Sequence, residues 1–344
     1  MLPVIVHLRE TPDVELRLVL MTSEEAGMAA AAGVPFEMLD VYATKARRLD
    51  FDLAWGVEPL INAIRTFRPD IFLCIEVNYI LRNAVRYCRQ AGIRSIVVQH
   101  GTPNRFSLHA FLPFEGDRFL AWNAFSKDFL CRHGMPDRKV VVTGAIPFDR
   151  TQTIVPDRVR IAAEAGLDGS RKWAVFTTQG VGAGNMPSLD EIRTGLVETA
   201  REFANHPDWQ IVYQVHPSQK IEDVRAILDE AGFADTSAVR YHDTEELIKA
   251  GDAMITFFST TAIDAVLLRK PLLLINLSDD RDFFPFAEMG VALAAFSRDD
   301  IAVSIRRLIG GFQIDDDKYA AAVHLMNHVN DGQALPRVLK NILE

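Results

Sequence analysis

The chain has 344 residues, 49% hydrophobic and 24% charged, the composition of a folded globular protein too long for one ordinary core. Its 37 basic and 46 acidic side chains give a net charge of −9, which argues against a nucleic-acid-coating protein while leaving room for a local phosphate pocket. No apolar run reaches the roughly 18 residues of a spanning helix, and Arg9 and Glu10 come too early for a secretory signal. Cys74, Cys88 and Cys131 have no Cys-x-x-Cys spacing and read as buried thiols of a reducing, cytoplasmic setting.

In chain order, LPVIVHLRETPDVELRLVL reads as helix, short turn and strand. The usual first strand of an α/β domain is then expected before Met1. Strands are predicted at Leu16–Leu20, Ile71–Ile75, Ser95–Val98, Arg118–Trp122 and Lys139–Thr143. A second series follows at Trp173–Thr177, Gln210–Val215, Ala238–Tyr241, Ala253–Phe257, Pro271–Asn276 and Val291–Ala294. Helices fill the intervals, at Glu58–Phe67, Leu81–Ala91, Ser126–His133, Leu189–Ala204, Ile221–Ala231, Thr244–Ala250 and Thr260–Leu268. Apolar strands alternating with helices predict parallel sheets covered on both faces.

The expected fold is α/β, with two Rossmann-like doubly wound domains facing across a cleft, over residues 1–148 and 172–320. The stretch 149–171, with its prolines, glycines and charges, is expected as a linker. Residues 321–344 are expected as a C-terminal helix packing back on the first domain.

Four strand ends carry candidate chemistry. MITFF runs into Ser259, Thr260 and Thr261 and then a helix. Hydroxyls there can simply cap the helix, a contribution of about 1 kcal/mol, or help hold an anion at the helix start. Asp264 lies one turn further on, placed to accept a hydrogen bond from a sugar hydroxyl. QIVYQV ends at His216, an ordinary surface histidine or a donor to phosphate. WAVFTT leads into Gln179, Gly180 and a glycine-rich loop that lacks a Walker lysine; it reads as a flexible loop or a phosphate cradle. In the first half, SIVV ends at Gln99, His100, Gly101 and Thr102, either a glycine turn or a strand end delivered to a site.

Three weaker patterns complete the survey. Asp280-Arg281-Asp282 could hold Mg²⁺ but reads better as a solvated loop. Phe283, Phe284 and Glu288 follow it as a candidate lid over a nucleotide. His324 and His328 are four residues apart without the carboxylate motif of a metal site.

VVQHGT at 97–102, DRFLAWNAFSKDFLCRHGMPDRKVVVTGAIPFD at 117–149, VYQVHP at 212–217 and FFSTTAIDAVLLRKPLLLI at 257–275 together resemble the GT-B glycosyltransferase-like superfamily. The resemblance is strongest to bacterial surface-polysaccharide enzymes related to CDP-glycerol glycerophosphotransferases and UDP-N-acetylglucosamine 2-epimerases. It implies a transferase of a nucleotide-activated glycosyl or glycerophosphate group. An epimerase-like enzyme or nucleotide-sugar hydrolase, and a non-catalytic nucleotide- or carbohydrate-binding relative, are the alternatives.

By the same resemblance, the first domain takes a glycan or lipid-linked acceptor and the second a nucleotide-linked sugar or a CDP- or CMP-linked donor. His100 and His216 match the catalytic positions. Ser259, Thr260, Thr261, Gln179 and Gly180 fall at the donor phosphates, and Asp264 and Glu288 at the donor sugar or ribose. Gln99, Gly101 and Thr102 fall on the acceptor side. No cofactor or bound metal is expected, no nucleic acid, and at most peripheral membrane contact.

The sequence also departs from these relatives. Gln99 stands where glycerophosphotransferases often carry tryptophan, the acidic-acidic-glycine motif of sialyltransferases is missing, and STTAID replaces the glycines and paired glutamates of the epimerases. Donor identity therefore stays open.

Overall fold

A computed structural model describes residues 1–21, 23–39, 57–75, 79–105, 107–180, 187–257, 259–278 and 285–344. The chain divides into two units, one of Met1–Pro147 with Gln333–Glu344, the other of Phe148–Gly332.

In the first unit, α1 (Leu2–Glu10) precedes β1 (Val19–Leu20), α2 (Ser23–Ala31) and β2 (Glu37–Met38). Strands β1 and β2 form a separate parallel pair. Next come α3 (Glu58–Phe67), β3 (Ile71–Cys74), α4 (Tyr79–Ala91), β4 (Arg94–Val98) and α5 (Leu108–Phe111). The N-terminal stretch then closes with β5 (Arg118–Ala121), α6 (Ala124–Arg132) and β6 (Val140–Val142). Strands β3 to β6 form a parallel sheet in simple sequence order. Alternate residues of β4 go to opposite faces, as strand geometry requires. Val97 joins Leu81, Val85 and Leu130, while Ile96 and Val98 meet Val4 and Leu8 of α1 and Val338, Leu339 and Ile342 near the C-terminus.

The second unit contains α7 (Arg158–Ala165), β7 (Lys172–Thr177), α8 (Leu189–Phe203), β8 (Trp209–Gln214), α9 (Ile221–Glu230) and β9 (Ser237–Val239). It continues with α10 (Thr244–Ala250), β10 (Ala253–Thr256), α11 (Thr261–Leu267), β11 (Leu272–Ile275), β12 (Leu293–Ala295), α12 (Arg298–Ile309) and α13 (Asp316–Asn327). All six strands are parallel, in the order β12-β11-β10-β7-β8-β9. This doubly wound order reverses between β7 and β10, and ligands of such sheets bind at the C-terminal strand ends of that switch point. Local sequence sets where the helices begin: Asp157, Ser188, Asp243, Ser297 and Asp315 each accept a backbone N–H as N-caps.

Two expected boundaries change. Residues 149–171 are part of the second unit and contain α7. Arg158 lies 3.9 Å over the Trp173 ring and donates to the carbonyls of Ala250 (2.6 Å) and Arg171 (2.7 Å). The helix is easy to miss because Ile161 is its one buried side chain. At the C-terminus, α13 stays with the second unit, and only α14 (Ala334–Leu343) returns to the first. The short strand β2, with its polar Glu37, was not foreseen.

Candidate functional site

The switch point of the second unit is built from threonines. Thr177, the last residue of β7, donates to Oγ1 of Thr256, the last residue of β10, at 2.9 Å. Thr256 in turn donates to the Thr177 carbonyl (3.2 Å). The Thr177 proton being used, its 2.9 Å bond to Thr261 Oγ1 must be donated by Thr261. Thr261 was expected to hold donor phosphate; instead its single hydroxyl proton is directed into the sheet, and the residue fixes the start of α11. Thr260, the N-cap residue, makes no side-chain cap bond. Ser259 Oγ accepts only a long 3.4 Å bond from the Thr261 N–H. Capping would in any case use these oxygens as acceptors, and among the described residues neither hydroxyl donates its proton to a partner.

The next strand end supplies the histidine. Thr178 Oγ1 accepts the His216 backbone N–H (3.0 Å) and donates to the Gln219 side-chain carbonyl, tying the end of β7 to the turn after β8. Within that turn, Nδ1 of His216 accepts the Ser218 backbone N–H at 3.1 Å and lies 2.7 Å from the Ser218 hydroxyl. A backbone N–H can only donate, so Nδ1 carries no proton and Nε2 does. Burial, reinforced by the nearby Arg240 guanidinium, lowers the His216 pKa. His216 thus presents a neutral ring with an Nε2–H donor. Ser218 and Gln219 were not assigned roles by the sequence, although Ser218, two residues beyond the histidine, was the available signal.

Gln179 and Gly180 are buried at the end of β7. The glycine-rich loop beyond them, 181–186, lies outside the described residues, as do Asp280–Asp282, Phe283 and Phe284. Asp264 is only 8% exposed, and its Oδ1 has no hydrogen-bond partner among the described residues. Burial raises its pKa well above the carboxylate range, with a further contribution from Glu245. A buried oxygen of this kind is costly to leave unpaired. Glu288 is exposed on the turn 285–290 and forms no hydrogen bond to this cluster among the described residues.

The second unit carries 18 basic and 29 acidic side chains, against 19 and 17 in the first. The second unit as a whole therefore has no surplus of cations, although the Arg240 guanidinium lies close enough to act on His216. Among the described residues, no group of three or more His, Cys, Asp or Glu side chains could hold a metal ion.

In the first unit, the end of β4 is rigid. Gln99 is 3% exposed; its Oε1 accepts the Trp122 N–H (2.8 Å), while Nε2 donates to the Gly101 carbonyl and to Ser126 Oγ, both at 2.9 Å. The amide of Gln99, expected on the acceptor side, is engaged by the protein through both its oxygen and its nitrogen, so it supports the loop 99–102 from within. Gly101 has φ +70°, where a side chain would be strained. His100 is exposed beside it, and Thr102 Oγ1 is buried with no hydrogen-bond partner among the described residues.

Two Rossmann-like units with polar residues at their C-terminal strand ends define a GT-B fold, as the sequence resemblance implied. Comparison with known proteins agrees. Residues 193–344 match the family model of CDP-Glycerol:Poly(glycerophosphate) glycerophosphotransferase.

A lipid-A-disaccharide synthase from Alkalilimnicola ehrlichii is 25% identical over 220 residues, which are 62% of this chain and 55% of the relative. The chain thus spans about half the length of that curated relative.

Among solved structures, a UDP-N-acetylglucosamine 2-epimerase from Neisseria meningitidis bound to UDP-GlcNAc matches with a TM-score of 0.70 and 15% identity, covering 99% of this chain and 95% of that one. A Listeria monocytogenes protein described as a 2-epimerase of the same kind also gives 0.70, at 16% identity, with 99% and 91% covered. The wall teichoic acid polymerase TagF gives 0.62 at 15% identity, with 99% and 84% covered.

Proposed function

We propose that the chain is a nucleotide-activated transferase that moves a glycosyl or glycerophosphate group onto a hydroxyl acceptor. The reading is carried by the switch point of the second unit, where no group among the described residues takes the His216 Nε2–H or the hydroxyl protons of Ser259 and Thr260, leaving them to an anion. The glycerophosphotransferase family model covers most of the same unit. Ser259 and Thr260 hold the donor phosphates, Asp264 takes a ribose or sugar hydroxyl, and His100 of the first unit serves the acceptor.

In the reaction, the acceptor oxygen attacks the anomeric carbon of a glycosyl donor or the distal phosphorus of a glycerophosphate donor. The bond to the nucleotide's phosphate oxygen breaks, the acceptor proton passes to His100, and the departing oxygen's charge is met by the His216 Nε2–H.

Calorimetric titration with CDP-glycerol, CMP, UDP-N-acetylglucosamine and GDP-linked sugars, followed by mass spectrometry of transfer products, tests the reading. Failure to bind any nucleotide would overturn it. Release of UDP, or isomerisation, from UDP-N-acetylglucosamine alone would instead favour the epimerase or hydrolase.

A further inference from the structure

We infer that Gln99 is a positioning residue that sets the imidazole of His100 through a closed three-residue ring; the inference rests on the acceptor-side role proposed for His100. The backbone N–H of Gln99 is fixed to the Leu120 carbonyl at 3.0 Å, so one end of the His100 dipeptide belongs to the sheet. The other end, the Gly101 carbonyl, is drawn back by the Gln99 side chain at 2.9 Å. His100 is the apex of this ring, and the left-handed Gly101 lets the chain close it.

The ring is anchored to two further elements. Trp122, just beyond β5, holds Gln99 Oε1, and Ser126 of α6 holds Nε2. Ser126 is itself fixed, its N–H donating to the side chain of the buried N-cap Asn123 at 2.8 Å. The orientation of the amide is dictated by its partners: only an oxygen can face the Trp122 N–H, and only an NH₂ can face the Gly101 carbonyl. Gln99, Asn123 and Ser126 are all buried, so the backbone that carries the exposed His100 is held by bonds for which solvent does not compete.

The amide has two separable functions, which two substitutions distinguish. Gln99→Glu keeps an acceptor for the Trp122 N–H but sets a carboxylate against the Gly101 carbonyl, opening the ring. Gln99→Met fills the same space and loses every bond. If the ring positions His100, both substitutions lower kcat by about 10- to 100-fold, the scale expected for a misplaced catalytic group. The donor dissociation constant should stay within about twofold in both. The milder Ser126→Ala removes one anchor and gives a smaller loss, which keeps the test available if the Gln99 variants fold poorly.

A second readout does not depend on turnover. In protein labelled with ¹⁵N-histidine, the His100 ring signals, assigned by their loss in His100→Gln, should shift or broaden in both Gln99 variants while those of His216 stay in place. Unchanged His100 signals in both would overturn the inference. So would a kcat that falls only in proportion to the folded fraction. Absence of donor binding by the unsubstituted protein would count against the transferase reading instead, and the spectra would still decide the role of Gln99.

Discussion

Ser218 meets Nδ1 of His216 with two groups, its backbone N–H at 3.1 Å and its hydroxyl at 2.7 Å, and so places the ring proton on Nε2. The backbone contact survives substitution of the side chain, whereas the hydroxyl contact does not.

His216→Ala is therefore expected to weaken donor binding and reduce turnover by about 100-fold, the range found for removal of one preorganised donor. Ser218→Ala should be about tenfold or less, because the backbone N–H still fixes the tautomer. Donor titration and initial rates check both values, and equal losses would contradict this division of labour.

Replacing Ser259 and Thr261 separates phosphate contact from scaffolding. Ser259→Ala should raise the donor dissociation constant with little change in melting temperature. Thr261→Val removes the proton given to Thr177 and should cost about 1 kcal/mol of stability. Denaturant unfolding beside calorimetric titration distinguishes the two.

The pKa of Asp264 is raised by burial and by Glu245, so folding binds a proton that the unfolded chain releases from about pH 3.9 upward. Its favourable contribution is complete below that pH and is lost as pH rises toward the folded pKa. Asp264→Asn should therefore lose less stability than the unsubstituted protein between pH 4 and pH 8. His216 works in the opposite direction. Its lowered pKa makes stability fall as pH drops below about 6.5, and His216→Gln should flatten that part of the curve. Melting temperatures across this pH range test both signs.

Gly195 of α8 lies against an aromatic cluster. A Cβ there would come within 2.7 Å of the Phe257 ring, which packs 5.2 Å from Phe176. Gly195→Ala should destabilise by about 1–3 kcal/mol through overpacking, measurable by urea unfolding.

Much of this architecture is written in local pattern. Glu58–Phe67 and Thr244–Ala250 coincide with their expected helices, and the β-branched and leucine-rich runs mark every strand of the two larger sheets. What the sequence hides is the direction of hydrogen bonds. Thr261 and Gln99 have the residue types of binding groups and sit at the right strand ends. Whether their protons face a ligand or the protein depends on Thr177 and Trp122, which lie 84 and 23 positions away. Helix α7 was hidden for a related reason: its place in the fold comes from Arg158 bonding to carbonyls of β-sheet connections, not from a broad apolar face.

The last helix has a consequence for how the protein is made. Val338, Leu339 and Ile342 cover Ile96, Val98 and Leu120, while Arg94 and Arg118 donate to the carbonyl of Asn341 near the end of α14. Helix α14 follows the whole of the second unit in the chain. During synthesis, residues 148–332 are all made before this face of the first sheet can be covered. The earlier unit is thus completed by a segment made after the later one, against the usual N-to-C order of domain folding.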